Sequence, residues 1–376
     1  MCSLKRERVR ILYYVPCLTM GGVERKVRDL AIALPRDRFD PVVFWSCHWG
    51  PLGDNLLDAG IPVNQVPFNR PQQLSDMVSA IRELQPHIFH SFSYRRDDCD
   101  VRAALDAAVP TILTYRADVR FWDDARALQK WETFRNQGTH RITVCSEAVA
   151  EVVRNIERVP DAKIRVIHNG VRLPSEEPPG PRSGVREELG IAPGAPLIGY
   201  VGNYRPEKGH ETLLRAFRQV LKVFPSARLV CCGLNESGVK RRLQALADEF
   251  CLDGRVSLLD LQMDVDRIYR GLDVYVQPSD TEGYSNALLE GMSYGKPVVA
   301  TRTGGNAEAL CHGETGLLVP PGNPARMSAA IVALLGDAAL AAKLGQAARD
   351  RVRDCFQFQN MLNGYTDLYE EELAKQ

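Results

Sequence analysis

Two kinds of apolar pattern alternate along the chain. Short runs rich in β-branched and aromatic residues, such as Val9 to Cys17 and Asp273 to Gln277, have the continuous hydrophobicity of strands buried on both faces. Between them apolar residues recur every three or four positions, as at Val23, Val27, Leu30, Ala31 and Leu34, which share one helical face. This alternation predicts parallel α/β sheets. A first series places strands at Val9 to Cys17, Pro41 to Cys47, Val63 to Phe68, His87 to Phe92, Thr111 to Ala117, Arg141 to Ser146 and Ile164 to His168. A second places them at Leu197 to Tyr204, Arg228 to Cys232, Val256 to Leu259, Asp273 to Gln277, Pro297 to Thr303 and Thr315 to Val319.

The stretch between the two series, Leu173 to Gly184, has no periodicity and contains four prolines, as expected of a linker. The chain therefore reads as two Rossmann-like, doubly wound α/β domains, residues 1–172 and 185–355, facing each other across a cleft. A C-terminal helix over 356–376 has an apolar face, Phe356, Met361, Tyr365, Leu368 and Tyr369, that is expected to pack back on the first domain. With 376 residues, 45% of them hydrophobic, there is material for two cores.

Charge adds little to this picture. Lys plus Arg and Asp plus Glu each number 47, so no overall field points to nucleic acid. Lys5, Arg6, Arg8 and Arg10, with Arg25, Lys26 and Arg28, are either an ordinary solvated surface or a basic patch for peripheral contact with an anionic membrane. Ten cysteines lack a disulfide-framework spacing and read as reduced core thiols. Only Ile11 to Val15 is continuously apolar before Pro16, too short for a secretory leader, and the expected location is cytoplasmic.

Candidate chemistry concentrates at Ser279 to Pro297, SDTEGYSNALLEGMSYGKP. Glu282 falls in the loop after a buried strand, and Ser285 or Asn286 can cap the helix that follows. Ala287, Gly291 and Gly295 form a small-residue stripe for close packing on a sheet. Glu290, among Leu288, Leu289 and Met292, is an acid in need of a partner. Open α/β sheets bind ligands at the carboxyl ends of their strands. There the loop Gly202 to Gly209, GNYRPEKG, supplies Arg205 and Lys208, a pair suited to a diphosphate. Gly21 and Gly22 open the first helix and let backbone approach a ligand, although many such loops are tight turns only.

The motifs VGNYRPEKG and SDTEGYSNALLEGMSYGKPVVATRTGGNAE, with GGVER near the start and VIHNGV before the linker, resemble retaining glycosyltransferases of family 4, whose fold is GT-B. The likeness covers nearly the whole chain. It implies that Arg205 and Lys208, with Gly202 and Asn203 in the same loop, hold the donor diphosphate. It also implies that Glu290 binds the ribose, and that Glu282, Gly283, Tyr284, Ser285 and Asn286 hold the donor sugar. Leu261, within Leu259 to Gln262, lies where family members grip the base, and Gly21 and Gly22 adjoin phosphates and acceptor. Two positions depart from the family pattern. Asn203 stands where many members have arginine, and Arg116 stands near where many have a donor-side histidine. Arg116 then contacts sugar, phosphate or acceptor, or pairs with Asp118.

Other chemistry-bearing residues have plainer readings. Asp98, Cys99 and Asp100 spell a metal motif of another fold but sit at a helix start, where acids suit the dipole. Glu308 shapes a loop, and His90 and His168 are structural groups at strand ends. Trp122 and Trp131 pack on a helix or offer an acceptor platform. The resemblance thus implies transfer from a nucleotide-diphosphate sugar, UDP or GDP, to a glycan, lipid-linked or small-molecule acceptor, with retention and without a bound metal or other cofactor. The alternatives are an epimerase or phosphorylase on the same architecture and a non-catalytic nucleotide-sugar binder.

Overall fold

A computed structural model describes residues 8–66, 72–95, 97–117, 125–174, 183–235, 238–262 and 264–376, with backbone alone for 125–131 and 183. Lys5, Arg6, Asp118, the side chains of Trp122 and Trp131, and most of the proline-rich stretch fall outside the described residues. The chain divides into two compact units, Met1–His168 with Met361–Gln376, and Asn169–Asn360.

In unit 1 the elements run β1 (Val9–Tyr14), α1 (Gly22–Ala33), β2 (Phe39–Trp45), α2 (Pro51–Asp58), β3 (Val63–Gln65), α3 (Gln73–Leu84) and β4 (Ile88–Ser91). They continue as α4 (Cys99–Asp106), β5 (Thr111–Arg116), α5 (Ala125–Gly138), β6 (Arg141–Val144), α6 (Glu147–Asn155) and β7 (Ile164–Val166). All register pairs are parallel, in the order β3-β2-β1-β4-β5-β6-β7. The order reverses between β1 and β4, the point where the loops of a doubly wound sheet diverge and leave a crevice.

Unit 2 repeats the plan: α7 (Ser183–Glu188), β8 (Leu197–Val201), α8 (His210–Val220), β9 (Arg228–Cys232), α9 (Val239–Glu249), β10 (Val256–Leu259), α10 (Asp266–Gly271) and β11 (Val274–Gln277). It continues with α11 (Asn286–Ser293), β12 (Val298–Thr301), α12 (Asn306–Ala309), β13 (Leu317–Val319), α13 (Pro324–Gly336) and α14 (Ala338–Cys355). The sheet order is β10-β9-β8-β11-β12-β13, so its switch point lies between β8 and β11. The β8 strand ends earlier than its apolar run. Tyr204 leaves the sheet and turns its ring into the core, its hydroxyl 2.8 Å from the Cys231 carbonyl.

The small-residue stripe of α11 is also shorter than expected. Gly291 lies against the Tyr275 ring, leaving no room for a Cβ, whereas Gly295 falls beyond the end of the helix.

The last helix, α15 (Phe358–Leu373), returns the chain to unit 1. Tyr365 and Tyr369 are fully buried there, and the Tyr369 hydroxyl lies 3.0 Å from Tyr13 Oη and 2.9 Å from His90 Nδ1. Arg141 adds an ion pair to Glu372 at 2.7 Å. Among the described residues no single helix is long and apolar enough to cross a membrane.

Because Tyr369 contributes both ring volume and a hydrogen bond, its two parts are separable. Tyr369→Phe should cost about 1 kcal/mol and Tyr369→Ala about 3–5 kcal/mol, read as urea midpoints. Equal midpoints for the two variants would refute the packing role.

Candidate functional site

The loops that leave β8 and β11 meet at the switch point of unit 2. The first contains a single 3-10 turn, Pro206–Lys208, and then Gly209 at φ 68°. A Cβ on Gly209 would stand 1.9 Å from the Pro278 carbonyl oxygen, so the two loops touch through backbone that only glycine permits. The Asp280 amide donates to the Glu207 carbonyl at 2.9 Å. Lys208 is thereby brought over the second loop, and its Nζ lies 2.7 Å from Glu282 Oε2.

Glu282 is held from below as well. Ser279 Oγ donates to it at 3.0 Å, and Gln277 Nε2 donates to Ser279 Oγ at 2.8 Å. Gln277 in turn accepts from the buried Tyr275 hydroxyl at 2.6 Å. The chain of bonds fixes the carboxylate before any ligand arrives. Behind the loop, His210 is buried against Tyr200, edge to face at 4.8 Å. Burial, and then the charge of Lys208, push it down to about 4, which keeps it neutral at pH 7.

Ser285 is the N-cap of α11 and accepts from the Leu288 amide at 3.1 Å. Asn286 Oδ1 accepts from Asn169 Nδ2 at 2.7 Å, tying the start of this helix to the first residue of unit 2. Gly283 accepts from the Gly305 amide at 3.1 Å, and Tyr284 is buried with its ring edge on Phe356. Glu290 is half-buried rather than deep. It accepts from the Tyr269 hydroxyl at 2.8 Å, and Tyr269 stacks on Tyr294 at 5.3 Å.

Asn203 accepts from the Leu234 amide at 3.3 Å and joins the loops after β8 and β9. Leu261, half-buried, follows β10 on the same end of the sheet. Unit 2 therefore gathers Gly202, Asn203, Arg205, Lys208, Leu261, Glu282, Gly283, Tyr284, Ser285, Asn286 and Glu290 at one sheet end. The remaining candidates, Gly21, Gly22 and Arg116, belong to unit 1.

Arg116 ends β5 and is 9% exposed. Its guanidinium pairs with Glu132 at 2.5 Å and Glu157 at 3.5 Å and donates to Asn136 at 3.0 Å, so its charge is balanced inside unit 1. Asp100 is likewise taken up by a fully buried pair with Arg135 at 3.0 Å.

Of the basic residues near the start of the chain, Lys26 is not at the surface. Arg10 pairs with Asp40, Arg28 pairs with Asp29, and Lys26 is 3% exposed inside unit 1. Lys26 Nζ donates to the Tyr115 hydroxyl at 3.1 Å and lies 4.3 Å from that ring's centroid. Burial lowers it to about 8. Sequence reasoning missed this residue because charge alone says nothing of which helical face a lysine occupies. The 3.6-residue period, which puts Lys26 on the same side as Val23 and Leu30, is the available signal.

With this geometry in view, the comparisons are specific. Residues 20–173 match the family model of Glycosyltransferase Family 4, and residues 182–351 match that of Glycosyl transferases group 1. The chain belongs to this family of glycosyltransferases. It is 30% identical over 233 residues to a D-inositol 3-phosphate glycosyltransferase of Corynebacterium efficiens, covering 60% of this chain and 54% of that protein. It is 36% identical over 166 residues to one of Nocardia farcinica, covering 42% and 37%. The matches thus span about half or less of these curated relatives.

Solved structures agree in fold. HepE of Anabaena, in complex with UDP-glucose, has a TM-score of 0.87 at 20% identity, with 97% of this chain and 100% of HepE covered. A glycosyltransferase of Rickettsia africae has a TM-score of 0.85 at 22% identity, with 98% and 99% covered. The α/β architecture of this chain is GT-B-like.

Lys26 yields a pH prediction. Its folded value lies below the ordinary 10.5, so between about 8 and 10.5 the unfolded chain binds a proton that the folded chain does not. Stability should therefore rise with pH across that window, by up to ~3 kcal/mol at about 1.4 kcal/mol per pKa unit. Lys26→Met should abolish the rise. Urea unfolding at several pH values checks it, and parallel curves for the two proteins would refute the assignment.

Proposed function

We propose that this glycosyltransferase moves a hexosyl unit from a nucleotide-diphosphate sugar, UDP-linked in preference to GDP-linked, to an acceptor hydroxyl with retention of anomeric configuration. The observation that carries the reading is the Lys208 and Glu282 pair at the switch point of unit 2, with Arg205 on the same loop. The UDP-glucose bound by HepE, a protein of like fold, favours a UDP donor.

In this reading the guanidinium of Arg205 and the ammonium of Lys208 take the diphosphate and offset the charge that grows on the leaving oxygen. Backbone amides of the loop from Gly283 to Asn286 face the same phosphates or the sugar. Glu282, oriented by Ser279, accepts hydrogen bonds from donor-sugar hydroxyls, and Glu290 does so from the ribose diol. Carbon 1 of the sugar forms its bond to the acceptor oxygen on the face from which the phosphate oxygen departs, and that phosphate oxygen receives the acceptor proton. Glu282, engaged by a cation and a serine, is an orienting acceptor rather than a covalent nucleophile. The acceptor is a glycan, a lipid-linked sugar or a small polyol, in glycan or glycolipid assembly.

Each cation is worth about 2 kcal/mol as a charged hydrogen bond, so Arg205→Ala and Lys208→Ala should each lower kcat/KM about 30-fold. The transfer assay uses UDP-glucose, with product configuration read by proton NMR. Unchanged kinetics in both variants, or an inverted product, would sink the proposal. Glu290→Gln should raise donor KM about tenfold with kcat little changed, the pattern of lost ground-state binding.

A further inference from the structure

We propose that Trp49 and Tyr94 form an aromatic platform in unit 1 for an uncharged sugar ring of the acceptor, an inference that rests on the glycosyl-transfer reading above. Both are exposed, Trp49 by 40% and Tyr94 by 52%. Single exposed aromatics are ordinary on protein surfaces and explain nothing alone. Place, anchoring and local charge set these two apart.

The first distinction is place. Tyr94 follows β4 and Trp49 follows β2, the two strands that flank β1. The loops that carry them therefore flank the loop from β1 to α1, next to the switch point of this sheet, where doubly wound sheets bind ligands. The loops are also tied together. The Leu18 amide donates to the His48 carbonyl at 2.9 Å, and Arg95 Nη1 donates to Cys47 Sγ at 3.4 Å.

The second is anchoring. The Trp49 indole N–H donates to Asp54 Oδ1 at 3.0 Å, and its ring lies 5.3 Å from Trp45. Gly53 on α2 lets it lie flat, since a Cβ there would stand 2.6 Å from the indole. The Tyr94 hydroxyl donates to Glu24 Oε1 at 2.8 Å, and Glu24 is buried in the first turn of α1. In each ring the polar handle is bonded to protein, which leaves an aromatic face for solvent. A pyranose suits such a face, because its axial C–H hydrogens carry slight positive charge and the ring face is negative. Fixed rings lose little rotamer freedom on binding.

The third is charge. Arg95 pairs with Asp97 at 2.8 Å and Arg28 with Asp29 at 2.9 Å, so these cations have their counter-charges beside them. These two offset pairs suit a neutral ring over a phosphorylated one.

Saturation-transfer NMR on the full chain, with methyl β-glucopyranoside, methyl β-galactopyranoside and myo-inositol 1-phosphate as probes, tests this. The glycosides should show transfer strongest at their axial ring protons. Trp49→Ala and Tyr94→Ala should each raise the glycoside dissociation constant at least tenfold, whereas Trp49→Phe, which keeps an aromatic face, should raise it less than threefold. UDP binding, followed by thermal shift, should be unchanged in all three variants and reports folding and the donor reading separately. Absence of glycoside transfer in the unmodified chain, unaltered binding in Trp49→Ala, or preference for the inositol phosphate would overturn the platform. Failure of the unmodified chain to bind UDP would instead overturn the donor reading.

Discussion

The contact between Gly209 and the Pro278 carbonyl governs the switch-point site of unit 2. Any side chain on Gly209 would force the loops after β8 and β11 apart, and its left-handed φ is comfortable only for glycine. With the loops in contact, the Lys208 ammonium reaches Glu282, and the ion pair forms in a site only partly open to water. Such a pair is stronger than a surface pair and costs more to desolvate. A diphosphate arriving there meets an ammonium whose charge is already partly satisfied. Its net attraction is the gain over Glu282, not the full Coulomb term. Arg205 on the same loop then supplies the fork that a carboxylate-bound lysine cannot.

Unit 1 is stabilised by a different economy of charge. Lys26 is buried with its ammonium on the Tyr115 hydroxyl, over that ring, and within 5.7 Å of the Tyr365 centroid. Burial and the nearby Lys26 charge both drive His90 far below its ordinary range, so it stays neutral and can bond to Tyr369 and Thr143. The same tyrosine carries the chain's last helix. Thus the cation on α1, the histidine on β4 and the anchorage of α15 are parts of one buried cluster, and a change in any of them is felt by the others.

The sequence made the alternation of elements legible because strand and helix periods differ and both sheets are parallel. Glu282, Lys208 and the Ser285 cap could be placed to a loop or helix end from local spacing. What spacing could not supply was partnership across the chain. Tyr269 lies 21 residues from Glu290, Glu132 lies 16 residues from Arg116, and Glu282 is 74 residues from Lys208. Burial was misjudged for the same reason. Glu290 looked deep because its sequence neighbours are apolar, and Lys26 looked exposed because its neighbours are charged; a helix turns neighbours in sequence to different faces. Family likeness carried the rest, since a pair of acids eight positions apart has no meaning outside a fold that aims them.

The two sheets share a strand order, and what differs at their switch points follows from what each loop carries. Between β8 and β11 the loops bring a cation, an anion and the capped start of α11, groups that recognise charge and hydroxyls. Around β1 the loop after β4 brings Tyr94, whose hydroxyl is spent on Glu24, and the loop after β2 brings Trp49, whose indole N–H is spent on Asp54. A group that has used its polar atom on the protein offers a partner only its apolar face. In the proposed reading, one backbone plan therefore serves a charged leaving group in one unit and an uncharged ring in the other. That division would suit the proposed transfer between a nucleotide sugar and a saccharide, since the leaving group carries charge and the accepting ring does not.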